Sequence, residues 1–178
     1  MWCVTPGGVA EMVRRAGPGV GCSRASCNGR PRMEDRADSV NTPFSGATCA
    51  KLLSLARTVA SNLETFDQCL LWVTLWGVWD SSENWHLFDR FRETYGERRP
   101  IWDAPGHLFQ KHEGADLTTF IQLGLSFGWD FYVVRAPSGN AAFFSHDEYL
   151  KFSADDPESA KRVRHCLDQK SVAPAKKG

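Results

Sequence analysis

The chain is poor in long apolar runs. The longest, residues 69–79, covers 11 residues and is interrupted by Thr74, about half of the roughly 20 that a membrane-spanning helix takes. No bilayer-spanning segment is expected. A secretory leader is not expected either. Met1-Trp2-Cys3-Val4-Thr5 runs straight into Pro6-Gly7-Gly8, without the charged start and apolar stretch that leaders carry. Net charge is also missing, with 21 Lys and Arg against 21 Asp and Glu in 178 residues. Within 46–170 there are 13 basic and 17 acidic residues, a net of −4. Nucleic-acid binding needs a basic surface and is not expected.

Paired cysteine motifs are absent as well. Of the six cysteines, no two form a CxxC. Cys22 and Cys27 lie in a segment without histidine, whereas a structural zinc takes four ligands. No metal is expected. Cys49, Cys69 and Cys166 stand singly in apparent structural elements, which reads as buried or half-buried thiols in a reducing, cytoplasmic compartment. The sequence has no GxxxxGK(S/T), GxGxxG, HExxH, GxSxG or EF-hand loop. Nucleotide hydrolysis, dinucleotide binding and α/β-hydrolase chemistry lose their usual signatures, and no cofactor is expected.

What is present divides the chain. Residues 1–45 hold six of the 15 glycines and four of the nine prolines, with no sustained apolar period. Such a segment buries too little surface to offset its ordering entropy. It is expected to be a disordered or weakly ordered extension, with Met33 as an alternative start. Residues 46–170 form the expected globular domain, and 171–178 a flexible basic tail.

Leu52, Leu55, Ala56, Val59 and Leu63 recur at three- and four-residue spacing, predicting a helix over 47–64. Residues 69–79 are apolar at both alternating positions, as in a central strand covered on both sides. Trp85, Phe88, Phe91 and Tyr95 predict a helix over 82–95, stopped by Gly96. Arg90, Arg92, Arg98 and Arg99 interleave with Asp89, Glu93 and Glu97, which reads as a solvated face. A short strand is expected at 107–110. Asp116 caps a helix bearing Leu117, Phe120, Ile121 and Leu125, closed by Gly128. Residues 129–134 and 141–144 read as a hairpin around Pro137-Ser138-Gly139-Asn140. Ser145 and Glu148 fit a capping box opening a short helix through Phe152. Asp156-Pro157-Glu158 opens a last helix, to about Asp168. The fold expected is α+β, a small mixed or antiparallel sheet of about three to four strands covered by about four to five helices.

Two places could carry chemistry. The long connection 96–116 holds Arg98, Arg99, Trp102, Asp103, His107 and His112, and long connections in compact domains are often functional. His146 is the one residue of 145–148 that helix capping leaves unexplained. Three functions follow. The first is a non-catalytic domain acting through a protein partner, of a regulatory or toxin-neutralising kind, since aromatic residues anchor interfaces. Trp102, Trp129, Arg98 and Arg99 are its candidate binding residues. The second is a small hydrolase in which His107, His112 and Asp103 converge on His146 across a cleft. The third is small-ligand binding in an aromatic cleft.

Overall fold

A computed structural model describes residues 2–4, 20–21, 32–33, 40–63, 67–76, 85–136, 140–154 and 157–170. The strands are β1 (Trp2–Val4), β2 (Val20–Gly21), β3 (Arg32–Met33), β4 (Val40–Pro43), β5 (Gln68–Leu75), β6 (Gly106–Gln110), β7 (Asp130–Ala136), β8 (Ala141–Ser145) and β9 (Tyr149–Ser153). The helices are α1 (Cys49–Leu63), α2 (Trp85–Glu93), α3 (Gly114–Ser126) and α4 (Pro157–Lys170), with a 3-10 turn (Lys111–Glu113) leading into α3.

The main sheet runs β1-β6-β5-β7-β8-β9-β4, and every neighbouring pair is antiparallel. β2 and β3 pair separately. The class is α+β, but the expected sheet of three to four strands is overturned: six strands from Val40 onward form it, and β1 extends it at one edge.

Two misreadings explain the difference. The expected short helix from Ser145 through Phe152 is instead a turn and strand β9. Glu148 N–H donates to the Ser145 carbonyl at 3.0 Å, and Glu148 sits at φ +60°. That is a three-residue hairpin loop ending in a left-handed residue. The residues after it alternate, with Leu150 and Phe152 fully buried, the period of a strand and not of a helix. Once β9 exists, β4 finds a partner, and Val40 pairs with Phe152 and Pro43 with Tyr149. The sheet thus draws two strands from before residue 46. The expected tail at 171–178, the start of α2 at 82–84 and the turn at 137–139 lie outside the described residues, as does most of 1–45.

One face of the sheet carries the main core. Cys69, Leu71 and Val73 of β5, Phe109, Phe131, Val133, Phe144, Leu150 and Phe152 meet the apolar stripes of α1, α3 and α4. All four stripe residues expected on α3 are buried. Burial alternation explains why β5 reads apolar throughout: residues 69–73 are buried on both faces, with Leu70 and Trp72 opposite the core. On that second face Trp72, Tyr132, Phe143 and Tyr149 form a cross-strand aromatic ladder, with centroids 6.1, 4.6 and 6.0 Å apart. Gly124 lets α3 pack close on the sheet, since a Cβ there would lie 2.6 Å from the Phe131 ring. Cys69 is buried and Cys49 is exposed, so the single-thiol expectation fits only the former; neither forms a disulfide. No described helix is long and apolar enough to cross a membrane.

Candidate functional site

The two sequence-predicted regions form separate sites. The first is built on α2. Phe88 and Phe91 set its apolar stripe, and Gly96 at φ +84° ends it. There Gly96 N–H bonds to the Glu93 carbonyl at 2.9 Å and Glu97 N–H to the Arg92 carbonyl at 3.1 Å, the paired bonds of a Schellman close. Arg92 lies on this stripe four residues after Phe88. It is 0% exposed, which overturns its reading as part of a solvated face. Its Nη1 donates to the Arg99 carbonyl at 2.9 Å and its Nη2 to the Ala104 carbonyl at 2.8 Å. Asp89 Oδ1 lies 3.7 Å from Nη1, and the guanidinium stands 5.7 Å from the Phe88 ring centroid.

Arg92 therefore clamps the turn at 100–104 from both ends. Inside it, the N–H groups of Asp103 and Ala104 both donate to the Pro100 carbonyl, at 3.1 and 3.2 Å. Ile101 points into the core at 2% exposure while Trp102 faces outward at 54%. Asp103, Arg98 and Arg99 are exposed around it. Arg99 Nε donates to Glu97 Oε1 at 2.9 Å, and this bond holds the Glu97 carboxyl down to about 2.

His107 lies beneath, on β6, at 0% exposure. Phe120 and Phe88 pack on its ring, with centroids at 4.9 and 5.6 Å. Neither ring nitrogen has a hydrogen-bond partner among the described residues. Burial, then the Arg92 charge, lowers its pKa to about 3, against small opposing pulls that include the Leu71 and Pro105 backbone. His107 is a neutral core residue. His112 is exposed on the 3-10 turn.

The second site lies at the far end of α3. Gly128 at φ +64° closes that helix: Gly128 N–H bonds to the Leu125 carbonyl at 3.3 Å and Trp129 N–H to the Gly124 carbonyl at 3.0 Å. The chain then enters β7 at Asp130. A β-bulge between Val73 and Leu75 lets Thr74 Oγ1 donate to the Asp130 carbonyl at 3.2 Å. Asp130 Oδ1 accepts from the His146 backbone N–H at 2.7 Å and lies 2.8 Å from His146 Nδ1. This contact suits a proton on Nδ1, and Nε2 lies 3.5 Å from Asp147 Oδ1.

Beside the pair is a cavity of about 260 Å³, lined by Phe44, Leu52, Leu125, Phe127, Trp129, Ser145, His146 and Glu148, among others. Trp129 is 3% exposed, and its Nε1–H has no partner among the described residues. Glu148 Oε2 accepts from Gly46 N–H at 3.2 Å, and Phe44 N–H donates to the Glu148 carbonyl at 2.8 Å. The junction of β4 and α1 thus forms a wall of the cavity.

The structure joins His146 and Trp129 at one cavity. It leaves Trp102, Arg98, Arg99 and Asp103 at the Arg92-clamped turn, His107 in the core and His112 on the surface. His146 makes polar contacts with Asp130 and Asp147 and with none of His107, His112 or Asp103. No hydroxyl or thiol of the described residues bonds its ring. Among the described residues no group of three metal-ligating side chains exists.

Arg92 and Asp130 organise the two sites, and sequence reasoning missed both. Their signals were present: Arg92 falls on the apolar stripe of α2, and Asp130 is a lone carboxylate between Trp129 and Phe131. No protein-family model matches the chain, and no curated protein and no solved structure matches it either.

Proposed function

We propose that this chain is a cytoplasmic, non-catalytic domain that binds a protein partner, of a regulatory or toxin-neutralising kind, with Trp102 as its anchor. One observation carries the reading: a fully buried arginine holds both ends of a turn whose tip exposes a tryptophan. Burying a guanidinium costs several kcal/mol unless its donors are met. Here both terminal nitrogens are used on the carbonyls of Arg99 and Ala104, while Nε has no partner among the described residues, and the backbone beneath Trp102 is held before any partner arrives. Preorganised backbone lowers the entropy cost of association, and tryptophan and arginine are the residues most enriched among interface hot spots. The partner surface that fits is an apolar pocket for an indole with an acidic rim for the exposed Arg98.

The test is stoichiometric. The partner is captured from the source cells, identified, purified and titrated against this chain. A one-to-one complex is expected, and Trp102→Ala is expected to weaken it by at least about 30-fold, the size of a 2 kcal/mol hot spot, while leaving the melting temperature unchanged. Equal affinity of Trp102→Ala and the parent chain would overturn the proposal, as would failure to find any stoichiometric partner.

A further inference from the structure

The cavity beside His146 is separate from the Trp102 turn, and we infer that it is a binding site for a small organic cation: a primary or quaternary amine about one ring in size. Size sets the first limit. About 260 Å³ lies between the ~150 Å³ that holds one benzene and the ~300 Å³ at which drug-sized pockets begin.

Lining chemistry sets the second. Phe44, Phe127 and Trp129 bring aromatic side chains to a lining that also carries the polar groups of Ser145, His146 and Glu148. Glu148 gives it a carboxylate, and no lysine or arginine lines it among the described residues. The carbonyl end of α3 closes one side, and a helix C-terminus favours positive charge. Aromatic faces attract an ammonium that has left water, in the way an anion is not attracted.

Glu148 is not placed there by the turn alone. Its backbone adopts φ +60°, a conformation that a glycine or asparagine would take at less cost. Its carboxylate is held at the wall by Gly46 N–H through Oε2. Trp129 supplies a second, independent pointer. Its indole N–H is buried without a partner among the described residues, and a buried donor left unmet is destabilising. A hydroxyl such as choline carries would meet it; the ammonium itself, which accepts no hydrogen bond, would not.

Titration calorimetry of the full chain with phenethylamine and with choline tests the assignment, with 3-phenylpropionate as the control of like shape and opposite charge. At least one amine is expected to bind in the micromolar to low millimolar range, and the carboxylate at least about tenfold more weakly, a difference of 1.4 kcal/mol. Glu148→Gln keeps an oxygen for Gly46 N–H while removing the charge, and is expected to weaken amine binding about tenfold or more. Circular dichroism establishes that the variant is folded. Should it not fold, lowering the affinity by raising salt from 20 to 500 mM reads the same charge dependence in the parent chain. The inference is overturned if neither amine binds at 10 mM, if the carboxylate binds as well as the amines, or if amine affinity is indifferent both to Glu148→Gln and to salt. Because Trp102 plays no part in this cavity, Trp102→Ala is expected to leave amine binding unchanged.

Discussion

Helix α3 separates two regions that treat ionisable groups in opposite ways. On one side Phe120 closes over His107, and the nearby Arg92 is buried with it. The buried Arg92 charge is directed at main-chain carbonyls, and the imidazole stays neutral. On the other side His146 is paired with Asp130 at the mouth of a cavity, its side chain 25% exposed. The first region fixes a backbone turn. The second keeps polar atoms in reach of a ligand. The same residue types therefore carry different consequences, decided by what surrounds them and not by their order in the chain.

The contrast is broken most forcefully at Arg92. Arg92→Met keeps a long apolar stem but strips donors from the Arg99 and Ala104 carbonyls. Each buried acceptor left unmet costs about 1–3 kcal/mol, so a loss of about 3–5 kcal/mol is expected in urea unfolding. Arg92→Lys is expected to recover less than half of it, because one ammonium cannot span both carbonyls as the planar fork does. A loss below about 1 kcal/mol for Arg92→Met would show that the turn does not depend on its clamp.

His107 sharpens the comparison through pH. Its pKa in the folded chain is lowered to about 3, against about 6.5 for an unperturbed histidine. The unfolded chain therefore binds a proton that the folded chain refuses. The stability involved is complete above about pH 6.5 and is lost as the pH falls towards 3, at up to ~1.4 kcal/mol per pH unit. His107→Phe removes this proton and is expected to flatten the acid limb of a stability–pH curve by one proton. An unchanged slope would mean that His107 takes up its proton when folded.

Much of this architecture is legible in the residues. The stripes of α1 and α3, the doubly buried β5 and the β7–β8 hairpin follow from apolar spacing alone, since each buries its pattern locally. What was not legible depends on partners far along the chain. Val40–Pro43 has four residues, one of them proline, and no alternation of its own; it becomes a strand because β9 is there to pair with it. β9 was obscured by Ser145 and Glu148, which match a helix cap in spacing. Yet Ser145 Oγ accepts from Asp147 N–H at 3.2 Å, and the Glu148 carboxylate goes to Gly46. Sequence spacing did not reveal that His107 and His146 face different environments, because α2 and its buried arginine decide the first and Asp130 the second.

Gly124 connects the regions, lying on the helix between Phe120 and Phe127. Gly124→Ala gains helix propensity of about 1 kcal/mol, but its Cβ would meet the Phe131 ring at 2.6 Å. Overpacking of this kind typically costs about 1–3 kcal/mol. The expected net is a loss of about 1 kcal/mol, read from the unfolding midpoint, together with a shift in the cavity. A stabilised variant would mean that Phe131 yields freely, and that α3 is not held firmly enough to keep the two regions apart.

The smallest effect tests the cavity side. Asp130→Asn retains one side-chain oxygen for the His146 N–H groups while removing the charge. Charge-assisted hydrogen bonds are roughly twice as strong as neutral ones, so a loss of about 1 kcal/mol is expected, well below that for Arg92→Met. The difference has a structural cause: Asp130 lies at the border of solvent, 9% exposed as a residue, and water can replace part of what it gives. Nitrogen-15 NMR of the imidazole provides the finer reading. In the parent chain the Nδ1–H tautomer is expected to dominate when the ring is neutral, and Asp130→Asn is expected to mix the two tautomers. If the tautomer ratio did not move, the ring would be oriented by the turn at 145–148 and not by its carboxylate, and the two histidines would differ in exposure alone.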